Sequence, residues 1–483
     1  MADLERRRNE ELARILHQLG WSPERLAREV NHALPPGLAI SSTAPYKWRD
    51  RGMVPRSPHD QTVCEVLGRT LGIAVTYAQL WGRMGGNRGA KILSPHLLTD
   101  PWTADTAQTA LRDAAADAGP VRLTDLFRGA DLDRAAGRLA TPPPPVGGGE
   151  GALKIAPALV QELRLSHLSK LRLEQACGGG LVLGPARAEL ALVAKLLELG
   201  AYDEPLGRAL YGTAGRFARL AGWAAYDLGH DAAAQRAFVA ALRAAHLSGD
   251  RRLGVGVVGG LVVLATQSAG GRGLDAVTAL AAALEAVGDA LDPTDRALQL
   301  GRIARAHGRR GEKDAVREAA ERAFAELDAG AGTAGGTGAA GSAGAGVEAG
   351  GGGGAEAGAA GSAGAGGGVA PGTDAADVAG DRGEVRADLA GMVGEGYLFL
   401  GDHRRAQALL AEAVAGLGPG RARARALLMV RLADSQRRTG RDREAAATAD
   451  RARALAAGMQ SERVARALRD FDAASRTVLP GGA

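Results

Sequence analysis

The chain has 483 residues and a formal net charge of +5 at neutral pH. That length exceeds what one hydrophobic core organises and predicts roughly two to four domains. The slight positive excess excludes a chain that coats nucleic acid along its whole length, so any basic function must be local. Aromatic residues make up only 4% while Ala, Gly, Leu and Arg dominate, so cores must be built from Ala, Leu and Val, which favours closely packed helices over sheets.

In chain order, residues 1–84 alternate short amphipathic helices with turn signals. LERRRNEELARILHQLG predicts a helix with Leu12, Ile15, Leu16 and Leu19 on one stripe, stopped by Gly20. In SPERLAREVN, Ser22 caps, Pro23 takes the first helical position, and Leu26, Ala27 and Val30 face inward. After the loop HALPPGLAIS, a third helix is predicted from a Ser42 cap to Arg51, ending at Gly52. Pro45 falls in its first turn, where a missing N–H costs little, and Pro55 and Pro58 prevent continuation. HDQTVCEVLGRTLG predicts a fourth helix with Val63, Val66, Leu67 and Leu71 on one face, and TYAQLWG a short fifth.

The third helix is basic and follows the second across a turn. This region resembles the Cro/repressor-type helix-turn-helix domain. SPERLAREVN stands at the second-helix position, and S…YKW..RG followed by VP matches the recognition helix with its core aromatic and closing Arg-Gly. VCEVLGRTLGIAVTYAQLWG matches the leucine-rich helix, Leu-Gly and final helix. Two departures stand out: a longer loop between helices two and three, and Pro45 in place of an apolar helix residue. The resemblance implies binding of double-stranded DNA. Ser42, Thr43, Tyr46 and Lys47 would approach base edges, while Arg49, Arg51 and Arg56 would meet phosphates. Trp48 is expected in the core, and a homodimer is expected because one such domain gives a small contact area.

Residues 85–150 hold one short helical pattern, TADTAQTALRDAAADAG, and end in TPPPPVGGGEG, which reads as a linker. Residues 151–328 are nearly continuous helical pattern. Residues 329–379 form a Gly/Ala tract that cannot offset its ordering entropy and is expected to be disordered. Helical pattern resumes over 380–476.

The helical zones repeat. Gly229, Ala234, Phe238, Ala241 and Leu242 recur in spacing as Gly271, Ala276, Leu280, Ala283 and Leu284, and again as Gly401, Ala406, Leu410, Ala413 and Val414. A weaker copy runs Gly440, Ala445, Ala449, and a degenerate one is centred on Ala315. The pattern describes a helical hairpin: Gly ends one helix, and a small residue five positions on lets the next approach closely. It resembles the tetratricopeptide repeat, although the spacing of about 40 residues exceeds that repeat's, and of the aromatic positions only Tyr397 falls where expected. The predicted fold is all-α: a five-helix N-terminal domain and a solenoid of degenerate hairpins interrupted by the tract. Such solenoids bind peptides or partner helices on their concave face.

The whole order resembles bacterial regulators that join a Cro/repressor-type domain to a tetratricopeptide-like sensor, as in development and secondary metabolism of filamentous bacteria. EQACGGG and the stretch from Arg219 to Asp250 carry that likeness.

Other motifs carry less. Gln175 to Gly179 fits a caspase cysteine signature, but no His lies about 50 residues upstream, and a leucine-spaced helix precedes it. GVGVVG, Gly254 to Gly259, fits the dinucleotide fingerprint, but it follows helix and turn rather than a strand and falls inside a predicted hairpin. The histidines are scattered, so no metal or other cofactor is expected. Glu189, Glu198 and Asp227 read as salt-linked, solvated acids. Cys64 and Cys177 form no framework, the first residues are charged rather than apolar, and Leu253–Ala265 is too short to span a bilayer. A cytoplasmic location without a membrane is therefore expected. The function expected is a non-enzymatic DNA-binding transcriptional regulator whose repeats sense a peptide, small molecule or protein; the alternative is a scaffold that sequesters a partner regulator without touching DNA.

Overall fold

The computed structural model describes residues 8–34, 38–56, 59–71, 75, 80–81, 101–116, 129–147, 153–267, 276–287, 291–335 and 382–476. The fold is all-α: among the described residues the only strands are the parallel pair Leu153–Lys154 and Gly200–Ala201.

The N-terminal unit contains α1 (Glu10–Leu19), α2 (Pro23–Ala33), α3 (Ala44–Arg51) and α4 (His59–Leu71). Gly20 closes α1 at φ 61°, and Ser22 caps α2 by accepting from the Arg25 N–H, with Pro23 at its start. The predicted stripes converge on one core of Leu12, Ile15, Leu16, Leu26, Val30, Val63, Val66 and Leu67, with Trp48 and Trp81 among them. Burying a Leu or Ile of this kind contributes about 2 kcal/mol. Leu80 and Trp81 close that core as helix; the rest of the predicted fifth helix, and the side chain of Leu71, lie outside the described residues.

The second unit begins earlier than its repeats. Helix α5 (Ala104–Ala115) and α6 (Gly129–Arg138) fall in the stretch read as linker. Trp102, Ala107, Leu111, Ala136, Leu139 and Val146 nonetheless join the main core. Small alanines at helical spacing let α5 pack on the array, a signal easily mistaken for a weak isolated helix.

Helices α7 (Ala158–Cys177) and α8 (Leu183–Leu199) lead into the hairpins. These pair α9 (Glu204–Asp227) with α10 (Asp231–Ser248), α11 (Arg251–Gln267) with α12 (Ala276–Val287), and α13 (Pro293–Arg310) with α14 (Lys313–Gly335). The series continues with α15 (Arg382–Phe399) on α16 (His403–Gly416) and α17 (Ala422–Arg438) on α18 (Asp442–Ala456), and α19 (Glu462–Arg476) closes it against α17. Helix α14 continues to Gly335, into the start of the Gly/Ala tract, because alanine favours helix. Residues 336–381 lie outside the described residues, as does Gly271. Helix α13 packs directly on α15, so the hairpins flanking that stretch are neighbours.

Gly229, Gly311, Gly401 and Gly440 turn the chain at φ between 75° and 77°, a left-handed conformation that side chains resist. Five residues after each come Ala234, Val316, Ala406 and Ala445, all almost fully buried. The degenerate copy is therefore anchored on Val316 and not on the half-buried Ala315. Gly254 to Gly259 lies within α11, as the hairpin pattern requires.

The array curls until its ends meet. The Gln460 N–H donates to the Cys177 carbonyl at 2.9 Å, and the Gly180 N–H donates to the Gln460 carbonyl at 3.0 Å. Asp227 is buried here, not solvated as its helical position suggested. It accepts the Gly179 N–H at 2.9 Å and the Ser461 hydroxyl at 2.8 Å. Glu174 pairs with Arg423 at 2.8 Å, and Gln175 accepts from Arg421 at 3.2 Å. EQACGGG is thus the latch of the closure. A Cβ on Gly179 would stand 2.4 Å from the Ala224 carbonyl oxygen, and one on Gly178 would stand 2.6 Å from the Gln460 carbonyl oxygen. Helix α7 touches α9 on one side and α17 on the other, across the concave face.

Candidate nucleic-acid interface

The predicted recognition segment is a helix, Ala44–Arg51, ended by Gly52 at φ 59°. Thr43, not Ser42, holds the capping position, and its side chain makes no capping bond. The Ala44 amide instead donates to the Ser41 carbonyl at 3.1 Å, and the Ser41 and Thr43 hydroxyls lie 3.1 Å apart. Uncapped first-turn amides and their dipole end favour an anion in this position. Pro45 is buried and fills the apolar slot itself, at a place in the first turn where its missing N–H is no loss.

Two tryptophans set the helix in its groove. Trp48 points inward, with 5% exposure, and meets Trp81 edge-on with centroids 6.2 Å apart. The Trp81 indole N–H donates to the Asp60 carbonyl at 3.0 Å. Because Trp48 faces the core, Lys47 and Arg51 face outward: both are exposed, as are Ser42, Thr43, Tyr46 and Arg56. Arg49 is partly covered.

The cations differ in their partners. The Arg49 guanidinium forks onto Asp50, at 2.7 and 2.8 Å, and lies over the Tyr46 ring at 5.1 Å. That hydrogen bond holds the Asp50 carboxyl below its usual range. The Tyr46 hydroxyl donates to Glu24 of α2 at 2.5 Å, which lowers the Glu24 carboxyl and raises the phenol. Lys47, Arg51 and Arg56 have no acidic partner among the described residues. Exposed pairs such as Arg49–Asp50 contribute little and exchange readily for a stronger anion.

Two asparagines that motif reading did not single out place α3. Asn9 caps α1 through its Oδ1, which accepts the Leu12 N–H at 2.9 Å. Its Nδ2 donates to the Leu80 carbonyl at 2.6 Å, and its own N–H donates to the Arg49 carbonyl at 2.7 Å. One residue thus ties both ends of the unit to the end of α3. Asn31 does the same for the long α2–α3 loop, exchanging hydrogen bonds of 2.9 and 2.7 Å with the Ile40 backbone. His59 adds a contact of 2.8 Å to the Leu38 carbonyl.

The N-terminal unit is therefore a small helical domain with its own core and one outward basic helix. A family model described as SP15 N-terminal domain matches residues 12–81, the span from α1 to Trp81. No curated protein matches the chain. Among the described residues no group of acidic, His or Cys side chains could hold a metal, and no helix is long and apolar enough to cross a membrane.

Proposed function

We propose that the protein is a DNA-binding transcriptional regulator of the helix-turn-helix class, joined to a tetratricopeptide-like sensor. One observation supports this most: α3 turns Trp48 into the core and leaves Lys47 and Arg51, one helical turn apart, exposed together with the flanking Ser42, Thr43 and Arg56. A protein helix inserted in a major groove needs that division, with polar tips toward base edges and cations flanking them toward phosphates. Tyr46 and Arg49 reach the duplex by exchanging Glu24 and Asp50 for it. A homodimer supplies the second half-site. Leu165 and Leu173 on α7, and Leu192 and Leu199 on α8, stay exposed and offer apolar surface for such an association.

The repeat array senses a ligand and biases the DNA-binding population through differential affinity. The chemistry involves no bond making. The scaffold reading draws on the internal engagement of Tyr46 and Arg49, which leaves fewer side chains ready for DNA.

A gel shift with labelled duplex decides between them. Binding should weaken steeply between low and moderate salt, because phosphate contacts release counterions. Replacing Lys47 and Arg49 by Ala should abolish the shift while far-ultraviolet circular dichroism stays unchanged. A protein that ignores duplex at every salt concentration, yet captures a partner regulator, is the scaffold.

A further inference from the structure

The first helices of the hairpins surround a cavity of about 230 Å³ that α7 and α19 close. Its wall carries Arg219 from α9, Arg302 and Arg305 from α13, Arg423 from α17, Arg463 from α19, and Arg421. Only Glu174 and Asp388 among its lining residues are acidic. Behind the wall, Asp227 pairs with Arg423 at 3.5 Å, and Glu395 lies between Arg305 at 2.9 Å and Arg431 at 3.3 Å. Arg305, Arg421, Arg423 and Arg431 share these four carboxylates, and Arg302 and Arg463 stand beside them with no ion pair among the described residues, which leaves a positive surplus in a largely desolvated space.

That surplus is built in. Arg302 forms no ion pair among the described residues, although Asp295 and Asp388 act on it from farther off: its guanidinium donates to Gln299 at 2.7 Å and to the Gly256 carbonyl at 3.4 Å, and lies over Trp223 at 5.7 Å. Burial, with Arg219 and Arg305 nearby, pushes Arg302 down to about 9. The glycines of GVGVVG make room for these heads. A Cβ on Gly259 would stand 2.4 Å from Arg302 Nη1, and one on Gly256 would stand 2.8 Å from Arg219 Nη1. Arg305 Nη2 and Arg423 Nε are buried without a hydrogen-bond partner, although both side chains keep some exposure, 11% and 13%. Buried cations held together without matching acids are costly unless an anion joins them. Several guanidiniums lining one cavity suit a phosphate group, with its several acceptor oxygens, better than a single carboxylate. Leu171, Val263 and Leu298 give the cavity an apolar side. With α7 across the concave face, the space admits a small molecule and not a peptide helix.

We propose that this chamber binds a compact phosphate-bearing organic anion. Its role as a signal rests on the regulator reading above; the binding itself does not. Titration calorimetry on the full chain, without DNA, tests it with ribose 5-phosphate and adenosine 5′-monophosphate as probes, and ribose and citrate as controls. At least one phosphate probe should saturate a single site that ribose does not occupy. Arg302→Leu should weaken that binding by about tenfold or more. The same variant should raise the unfolding temperature of the empty protein, since it removes buried like charge. Arg463→Gln, whose guanidinium stacks on Tyr226 at 4.4 Å, should weaken binding without that gain. The proposal is overturned if neither phosphate probe saturates, if citrate binds where they do not, or if Arg302→Leu binds as the wild type does. It is equally overturned if Arg302→Leu melts earlier than wild type, which would mark Arg302 as structural. Failure here leaves duplex binding untouched, and a failed gel shift leaves the calorimetry untouched.

Discussion

Lys47 and Arg51 differ from Arg49 in one respect: no acid among the described residues pairs with them. On the proposed reading Arg51 meets a phosphate, so Arg51→Ala should lower the salt dependence of duplex binding by about one unit of slope, whereas Lys47→Ala, at a base edge, should weaken binding and relax sequence preference. Both are exposed, so stability should change by less than about 0.5 kcal/mol, as read by urea unfolding. Asn9→Ala should behave in the opposite way. It deletes a helix cap and leaves the Leu80 carbonyl without its donor, at a cost of about 2 kcal/mol. The leucine and valine stripes were legible in the sequence because helical spacing places them, and the inward Trp48 was legible through the resemblance to a recognition helix with its core aromatic. Asn9 was not, because the carbonyl it satisfies lies 71 residues away and no periodicity points there.

Hairpins were legible as elements, since glycine and small residues recur where two helices must close on each other. Two features were not. The copy after Gly311 takes its register from the glycine's left-handed turn, so Val316 and not Ala315 fills the contact. Three consecutive glycines at the end of α7 carry no periodic signal, yet they admit the backbone near Gln460, which comes close only in the folded array. Gly179→Ala should destabilise the full chain by about 1–3 kcal/mol, since the added methyl meets a backbone carbonyl that cannot retreat. Gly184, with open space around its position, is the control, and Gly184→Ala should leave the denaturant midpoint unchanged or slightly raised. Equal losses in both would mean that the latch does not hold the closure.

Ion pairs cross the repeat array from hairpin to hairpin, and acid should loosen it. Burial works against the charge on Glu395, and Arg305 and Arg431 outweigh that, so its carboxyl titrates below the usual range. Its contribution is present above the ordinary glutamate value and is lost as pH falls through the lowered one. Glu174 and Asp388 are pushed the other way by burial, so the comparison must isolate Glu395. Glu395→Gln should cost about 3 kcal/mol near neutrality, where it leaves two partly buried guanidiniums without their shared acid. Its deficit against the wild type should shrink below pH of about 4; a deficit that stays constant with pH contradicts the pairing.

The regulator proposal requires that α3 reads duplex DNA in the cell. Recovery of bound DNA across the genome, from cells carrying tagged wild type or the Lys47→Ala, Arg49→Ala variant at equal abundance, tests it most directly. Discrete sites enriched by the wild type and absent for the variant are the predicted result; the same unstructured background from both contradicts it.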